Sequence, residues 1–163
     1  VKAFYAKHTF EVDFISEGNA WEVERIIKKV YIDPATRTQA KTDIESADVA
    51  IYGKRVLTMA KQEGKGWFAI MLGKHISYKT EIPAYILDAI LFAKETYSSN
   101  IVADIIQYRM NKHFEADNAL DFTSCKAELL KYRNGTNKLE DLAFDFDLVL
   151  PDDQILILID KLK

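Results

Sequence analysis

The sequence predicts a helix-dominated α/β protein, and three observations support this fold class. Apolar residues make up 48% of the 163-residue chain and charged residues 29%, a balance typical of globular proteins. Most of the chain places apolar residues at the three- and four-residue spacing of amphipathic helices. Two short segments, residues 1–6 and 142–150, alternate instead between apolar and other residues, which is typical of half-buried strands.

The first predicted strand, residues 1–6, is followed by a turn at residues 7–9 and then by a helix. Thr9 stands at the start of this helix, where its hydroxyl can accept a hydrogen bond from a free backbone N–H. Glu11 and Asp13 follow in the first turn, where negative charge is favourable beside the helix dipole. The sequence therefore predicts a strand, a turn and an acidic helix start in close succession.

Glycine, proline and asparagine mark the ends of the other predicted elements. Gly18-Asn19, Asp33-Pro34 and the turn at residues 134–137 interrupt the helical pattern. Residues 35–45 are polar and are expected to form a loop or a weak helix, and residues 154–159 fit a strand or a helix. Helices are predicted over residues 20–31, 46–63, 67–75, 83–97, 101–114 and 122–133.

Composition excludes several classes of protein. A single cysteine, Cys125, rules out an internal disulfide or a cysteine-based metal cluster, and we expect it to be a buried apolar residue. The chain has neither an apolar run long enough to cross a membrane nor a signal-peptide pattern, which favours the cytoplasm. The net charge of −3 argues against a dedicated nucleic-acid coating protein but permits a local basic surface.

The acidic helix start is the first candidate site. A carboxylate placed just after a strand lies at the edge of the sheet where ligands of α/β proteins usually bind. Because residues two apart on a helix point about 200° apart, Glu11 and Asp13 cannot readily share one ion, and Glu11 is the preferred candidate. Taken alone, both residues are explained more simply as ordinary first-turn acidic residues.

The second candidate is Lys65, between Gly64 and Gly66 at the start of a predicted helix. Such a lysine can act as a point charge on a phosphate and stabilise the negative charge that develops during phosphoryl transfer. A solvated lysine after a helix-ending glycine is the simpler structural explanation. The glycine and lysine spacing of a phosphate-binding P-loop is absent.

Three segments, in this order, resemble the OLD (overcoming lysogenization defect) family of ATP-dependent endonucleases. Residues 7–14 resemble the family segment KTFEYDL, residues 65–69 resemble KGRFA, and residues 82–90 resemble VPEYIKKAI. Asn19 stands where a short helix of the family often reaches an asparagine. Each segment is short, and it is their shared order and spacing that supports the resemblance.

The resemblance implies a nuclease site. The family joins an N-terminal ABC-type ATPase, which is the part that uses ATP, to a C-terminal Toprim domain that cuts DNA with Mg²⁺ or Mn²⁺. In this chain, the resemblance implies that Glu11 is a metal ligand and catalytic carboxylate, and that Lys65 is the catalytic lysine that stabilises the transition state. It also implies DNA contacts at Lys7, His8 and Thr9. Toprim sites follow the two-metal scheme of phosphodiester hydrolysis.

The same resemblance predicts two domains and an incomplete site. Residues 1–97 correspond to the C-terminal portion of a Toprim-like domain, and residues 98–163 form a helical extension of unknown role. An early glutamate and an Asp-x-Asp pair of the family site would precede Val1, so we expect the chain alone to be inactive. Asp145 and Asp147 have that spacing but follow Lys65, and they fit the polar face of an edge strand.

Two functions remain open at this point. The first is that the chain is part of a DNA endonuclease. The family resemblance implies that such an enzyme serves in phage defence, self-associates as a full-length protein and in some cases acts beside a helicase-like partner. Alternatively, the chain is a non-catalytic interaction or oligomerisation module whose residues 98–133 bind a partner. A basic patch for DNA and ordinary solvated helix faces account equally well for Lys2, Lys7, Lys54, Arg55, Lys61, Lys65 and Lys74.

Overall fold

The computed structural model describes residues 2–93 and 97–162, and the chain divides into two compact units, Val1–Ala89 and Ile90–Lys163. This division falls before the boundary predicted at residue 97. Helices dominate both units, as the sequence predicts, and within the described residues no strand is present. None of the helices in this part of the chain combines the length and apolarity that crossing a membrane requires.

The first unit is built from short helices around one apolar core. Its helices are α1 (Phe10–Phe14), α2 (Ala20–Val30), α3 (Pro34–Ile44), α4 (Val49–Glu63), α5 (Lys65–Gly73) and the start of α6 (Ala84–Ala93). A π-helical turn, Ile15–Asn19, joins α1 to α2, and Gly18 takes a φ of 94° there, a value that favours glycine. The core includes Val12, Phe14, Val23, Ile26, Ile44, Val56, Met59, Phe68 and Leu72.

Helix α3 corrects the expectation of a loop or weak helix over residues 35–45. The Asp33 carboxylate accepts a hydrogen bond from the backbone N–H of Thr36 at 2.7 Å, which caps the helix start. Ala40 and Ile44 are buried in the core of the unit, although the rest of the helix is largely polar. The cap at Asp33 and the burial of Ala40 and Ile44 therefore stabilise a helix in a segment of mostly polar composition.

The second unit contains four helices in sequence. They are α7 (Ser99–Ala116), α8 (Thr123–Arg133), α9 (Leu139–Val149) and α10 (Gln154–Leu162). Helix α8 packs against both α7 and α9, and α9 packs against α10. The core of this unit is formed by Val102, Ala103, Ile106, Met110, Phe122, Cys125, Leu129, Leu142, Phe146, Ile155 and Ile159.

Within the described residues, neither predicted strand is present. Residues 2–6 have no regular secondary structure, and residues 142–149, predicted as strand, lie in α9. Leu142 and Phe146, four residues apart, are both fully buried, whereas Phe144 and Leu148 are exposed. An alternating apolar pattern can therefore also form a helix, because residues four apart, such as Leu142 and Phe146, lie on the same helix face.

Candidate functional site

Glu11 and Lys65, the two residues that the family resemblance selects, lie side by side in the first unit. The Lys65 Nζ is 3.3 Å from the Glu11 Oε1. The Glu11 side chain is 11% exposed and the Lys65 side chain 61% exposed, so the carboxylate is largely buried whereas the lysine side chain is mostly in solvent. The arrangement leaves the ammonium accessible to a second anionic group.

Local backbone geometry explains why the two side chains meet. Val12, next to Glu11, is buried against α4, where a methyl group added at Gly53 would lie 3.5 Å from the Val12 Cγ2. Gly64 ends α4 with a φ of 79°, a conformation that side chains rarely adopt, and Lys65 begins α5 directly afterwards. The close approach of α1 to α4 and the turn at Gly64 bring Lys65 to Glu11.

The pKa of the Glu11 carboxyl is lowered from its ordinary value of 4.5. Burial is the largest single influence and acts to raise this pKa. The backbone N–H of Glu11, the Thr9 hydroxyl and the Lys65 ammonium act in the opposite direction and together prevail. Glu11 is therefore a carboxylate at neutral pH, the form that a metal ion or a cation requires.

Asp13 has a different role from Glu11, as the helical spacing predicts. Its buried carboxylate accepts hydrogen bonds from the backbone N–H groups of Lys7 at 2.9 Å and His8 at 3.2 Å. The Nδ1 of His8 lies 2.9 Å from the same carboxylate. Asp13 therefore holds the turn at residues 7–8 in place, and its oxygens are engaged by that turn.

Thr9 departs from its predicted capping role. It precedes α1 in extended conformation, but its side chain makes no capping hydrogen bond to the helix. Instead, its backbone carbonyl accepts from the N–H groups of Val12 and Asp13, at 3.1 and 3.0 Å. The buried Thr9 hydroxyl makes no hydrogen bond of ordinary geometry among the described residues, but it lies near enough to Glu11 to help lower the pKa of that carboxyl.

The third resembling segment, residues 82–90, contributes Tyr85 to the same region. Tyr85 lines a cleft of about 620 Å³ together with Lys7, His8 and Asp13. Burial and the negative charges of Asp13 and Glu11 raise the pKa of the Tyr85 hydroxyl. All three segments that carry the resemblance thus converge in one part of the first unit.

Asn19 joins the first and third segments. Its side chain is fully buried and donates to the carbonyls of Phe14 at 2.9 Å and Glu81 at 2.8 Å. Its amide oxygen accepts from the backbone N–H of Glu81 at 2.8 Å. Next to this bridge, the Thr80 hydroxyl donates to the fully buried Glu22 at 2.9 Å. These bonds position the chain that leads into α6 and Tyr85.

A complete metal site does not occur in the described part of the chain, where no three His, Cys, Asp or Glu side chains are grouped to hold an ion. Glu11 provides one oxygen ligand, and Asp13 is occupied by the turn it holds. Asp145 lies on α9 and accepts a hydrogen bond from the Ser124 hydroxyl at 2.5 Å, so it belongs to the second unit.

A charged cluster in the second unit was not expected from the sequence. Asp153 accepts a hydrogen bond from the Arg109 Nη2 at 2.8 Å and lies 2.8 Å from the His113 Nε2. It also accepts from the Ile155 N–H at 2.8 Å, at the start of α10. The sequence pattern does not reveal the cluster, because Asp153 lies 40 residues after His113. The four-residue spacing of Arg109 and His113 on one helix face was the available signal.

The comparisons with known proteins identify no relative. No protein-family model matches this chain, and neither a curated protein nor a solved structure shows significant similarity to it.

Proposed function

We propose that this chain is the C-terminal part of an OLD-family endonuclease and that residues 1–97 carry one side of a Toprim-like nuclease centre. The observation that supports this most directly is the 3.3 Å approach of Lys65 to Glu11. The resemblance selected these two residues from separate segments. A merely accidental likeness in short segments gives no reason for the two side chains to meet.

In this proposal, Glu11 supplies one carboxylate ligand to Mg²⁺ or Mn²⁺, because such hard cations bind one or two carboxylates and retain several waters. The bound metal would supply an activated water and stabilise the leaving oxygen. Lys65 stabilises the charge that develops on the scissile phosphate, and its exposed ammonium suits that role. Lys7, His8 and Thr9 form the DNA-facing rim beside them.

In this proposal, the remaining metal ligands come from the upstream part of the whole enzyme. Residues 2–6 have no regular secondary structure, and no strand is present beside them in the described part of the chain. In the proposed whole enzyme they add to the edge of a Toprim sheet whose other strands precede this chain. The carboxylates at the ends of those strands would complete the metal centre, and the ABC-type ATPase would couple ATP to DNA cleavage.

The test uses the natural protein that contains this chain together with its upstream region. We expect it to cleave plasmid DNA with Mg²⁺ or Mn²⁺, and we expect Glu11→Gln and Lys65→Met each to slow cleavage about a hundredfold. Glu63→Gln and Lys61→Met, at the end of α4, are matched controls that retain cleavage. The 163-residue chain alone should not cleave. Cleavage at the unmodified rate by Glu11→Gln or Lys65→Met contradicts the proposal.

A second candidate function is an oligomerisation module, favoured by the outer face of α9. Phe144 is 66% exposed and Leu148 is 69% exposed, and four-residue spacing places them on one helix face. Exposed large apolar side chains at that spacing are typical of helix-to-helix association. We expect Phe144→Ser/Leu148→Ser to abolish self-association in sedimentation velocity. A chain that is already monomeric at high concentration contradicts this second function.

A further inference from the structure

Helices α2 and α3 and the turn that follows α5 line a second cleft in the first unit, with a volume of about 730 Å³. We call it the basic cleft. Its cationic side chains come from both helices, and Ile27 contributes to its apolar wall. The cationic residues that line it are Arg25, Lys28, Lys29, Arg37 and Lys41.

One carboxylate, Glu24, lies among the residues that line the basic cleft. Lys41 forms ion pairs with Glu24 and with Glu45, so the charge of Lys41 is balanced inside the protein. Arg25 also pairs with the buried Glu22, at 3.9 Å between its Nε and the carboxylate. Lys28, Lys29 and Arg37 line the cleft without an ion pair among the described residues, although the whole chain carries a net charge of −3. Local clustering of this kind, rather than total charge, determines where a polyanion binds.

The two arginines are held in position by the protein. The Arg37 Nε donates to the Tyr31 carbonyl at 2.7 Å, and the Arg25 guanidinium lies 4.8 Å from the centre of the Trp21 ring. A guanidinium that is already oriented loses less conformational freedom when it binds an anion. Both guanidinium groups are therefore already oriented before an anionic ligand binds.

The side chains of Lys28 and Lys29 form no hydrogen bond or ion pair in the described part of the chain, although the Lys28 carbonyl accepts from the Arg37 Nη2 at 3.5 Å. Their place in the last turn of α2 is favourable beside the helix dipole. The dipole does not explain why arginines from two helices face the same cleft. His75 also lines it, and its Nε2 is buried without a partner among the described residues, an unsatisfied group that an anion or water can complete.

We propose that the basic cleft binds the phosphodiester backbone of duplex DNA without regard to base sequence. Guanidinium and ammonium groups are the usual partners of phosphate oxygens, and contacts of this kind fix the register of a protein on DNA. The Arg25 guanidinium lies over the Trp21 ring, so this ring face is already occupied and stacking on a base is not part of the proposal. This inference rests on the proposed function, in which DNA is the substrate.

The position of α5 connects the basic cleft with Lys65. Lys65 begins this nine-residue helix, and His75 lies just beyond its end. At about 1.5 Å per residue the helix is roughly 13 Å long. That length corresponds to about four base-pair steps at about 3.4 Å each. The separation of the basic cleft and Lys65 along α5 is therefore within the length of a short duplex.

The test measures binding of the 163-residue chain to a fluorescein-labelled duplex of about 20 base pairs by anisotropy, from about 50 to about 200 mM salt. We expect Lys28→Ala/Lys29→Ala to weaken binding about tenfold at low salt and to reduce the slope of log affinity against log salt by about two. The matched control, Lys126→Ala/Lys138→Ala, removes two exposed lysines of the second unit, outside the basic cleft, and should weaken binding less than about twofold.

Three results would overturn the inference: no duplex binding at low salt, equal weakening by both double variants, or displacement of the duplex by inorganic triphosphate at equal phosphate concentration. The last result would assign the cleft to a small polyphosphate instead. Circular dichroism and thermal melting of each variant check that the fold is retained. Because this assay measures binding only, its outcome is separate from cleavage by the Glu11 and Lys65 variants of the longer protein.

Discussion

The Lys65 ammonium lies 3.3 Å from the Glu11 carboxylate, although one residue begins α5 and the other lies in α1. Lys65 is mostly exposed, and pairs of this kind contribute no more than about 1 kcal/mol to stability because solvent screens them. Stability alone therefore gives little reason for the pair. The accessible ammonium is compatible with the proposed role of Lys65 toward the scissile phosphate.

Replacing Lys65 with Met should raise the pKa of Glu11 toward or above 4.5, because burial then acts with less opposition. The pKa of Glu11 is depressed in the folded chain, so the stability it contributes is present above pH 4.5 and is lost as pH falls through the lower folded pKa. We expect the Lys65→Met variant to lose less stability than the unmodified chain as the pH falls through this range. Carboxyl ¹³C NMR titration measures the pKa, and Lys61→Met should leave it unchanged.

The buried Asn19 amide should be essential to the stability of the first unit. Asn19→Ala removes three hydrogen bonds to the backbone of Phe14 and Glu81, and we expect a loss of about 3 kcal/mol in urea unfolding. Asn19→Asp keeps the acceptor for the Glu81 N–H but loses both donated bonds. It should therefore also destabilise the unit, and a neutral effect of both variants would show that the bridge is not formed in solution.

The Asp153 carboxylate should stabilise the second unit at neutral pH. Asp153→Asn leaves Arg109 without its buried partner, and we expect a loss of about 3 kcal/mol, measured by urea unfolding and by hydrogen exchange in α7 and α10. Asp152→Asn is the matched control, since Asp152 has a φ of 64°, which asparagine tolerates.

The same carboxylate predicts an acid-sensitive second unit. Burial is the largest influence on its pKa and acts to raise it, but the Arg109 guanidinium, the Ile155 N–H and His113 lower the pKa below its ordinary value of 3.8. Its stabilising contribution is therefore present above pH 3.8 and is lost as pH falls through the folded pKa. Asp153→Asn should show less change in stability over that acid range.

The Cys125 thiol should be unreactive in the folded chain. Burial, the largest influence, raises its pKa to about 11, and its Sγ donates to the Asp145 carbonyl at 3.2 Å. Because the thiolate is the reactive form, we expect slow reaction with a disulfide reagent at neutral pH and fast reaction in denaturant. Equal rates in both conditions would show that Cys125 is accessible.

Much of the helical structure followed from local sequence. Gly18, Gly64 and the turn after Arg133 end or bend helices as predicted, because glycine permits positive φ and short polar residues favour turns. The predicted burial of Cys125 is also confirmed. The strand prediction over residues 142–150 was wrong, because an alternating pattern that also repeats every four residues fits either element, and packing in the second unit selects the helix.

The candidate site and the basic cleft depend on contacts between helices that local sequence patterns do not encode. Periodicity placed Glu11 on a helix and Lys65 at a helix start, and only the resemblance linked them. The approach of α1 to α4 decided that they meet. The basic cleft and the Asp153 cluster were missed for the same reason: each joins side chains from separate helices. Helix propensity acts over a few residues, whereas the position of one helix against another is set by the whole packed core.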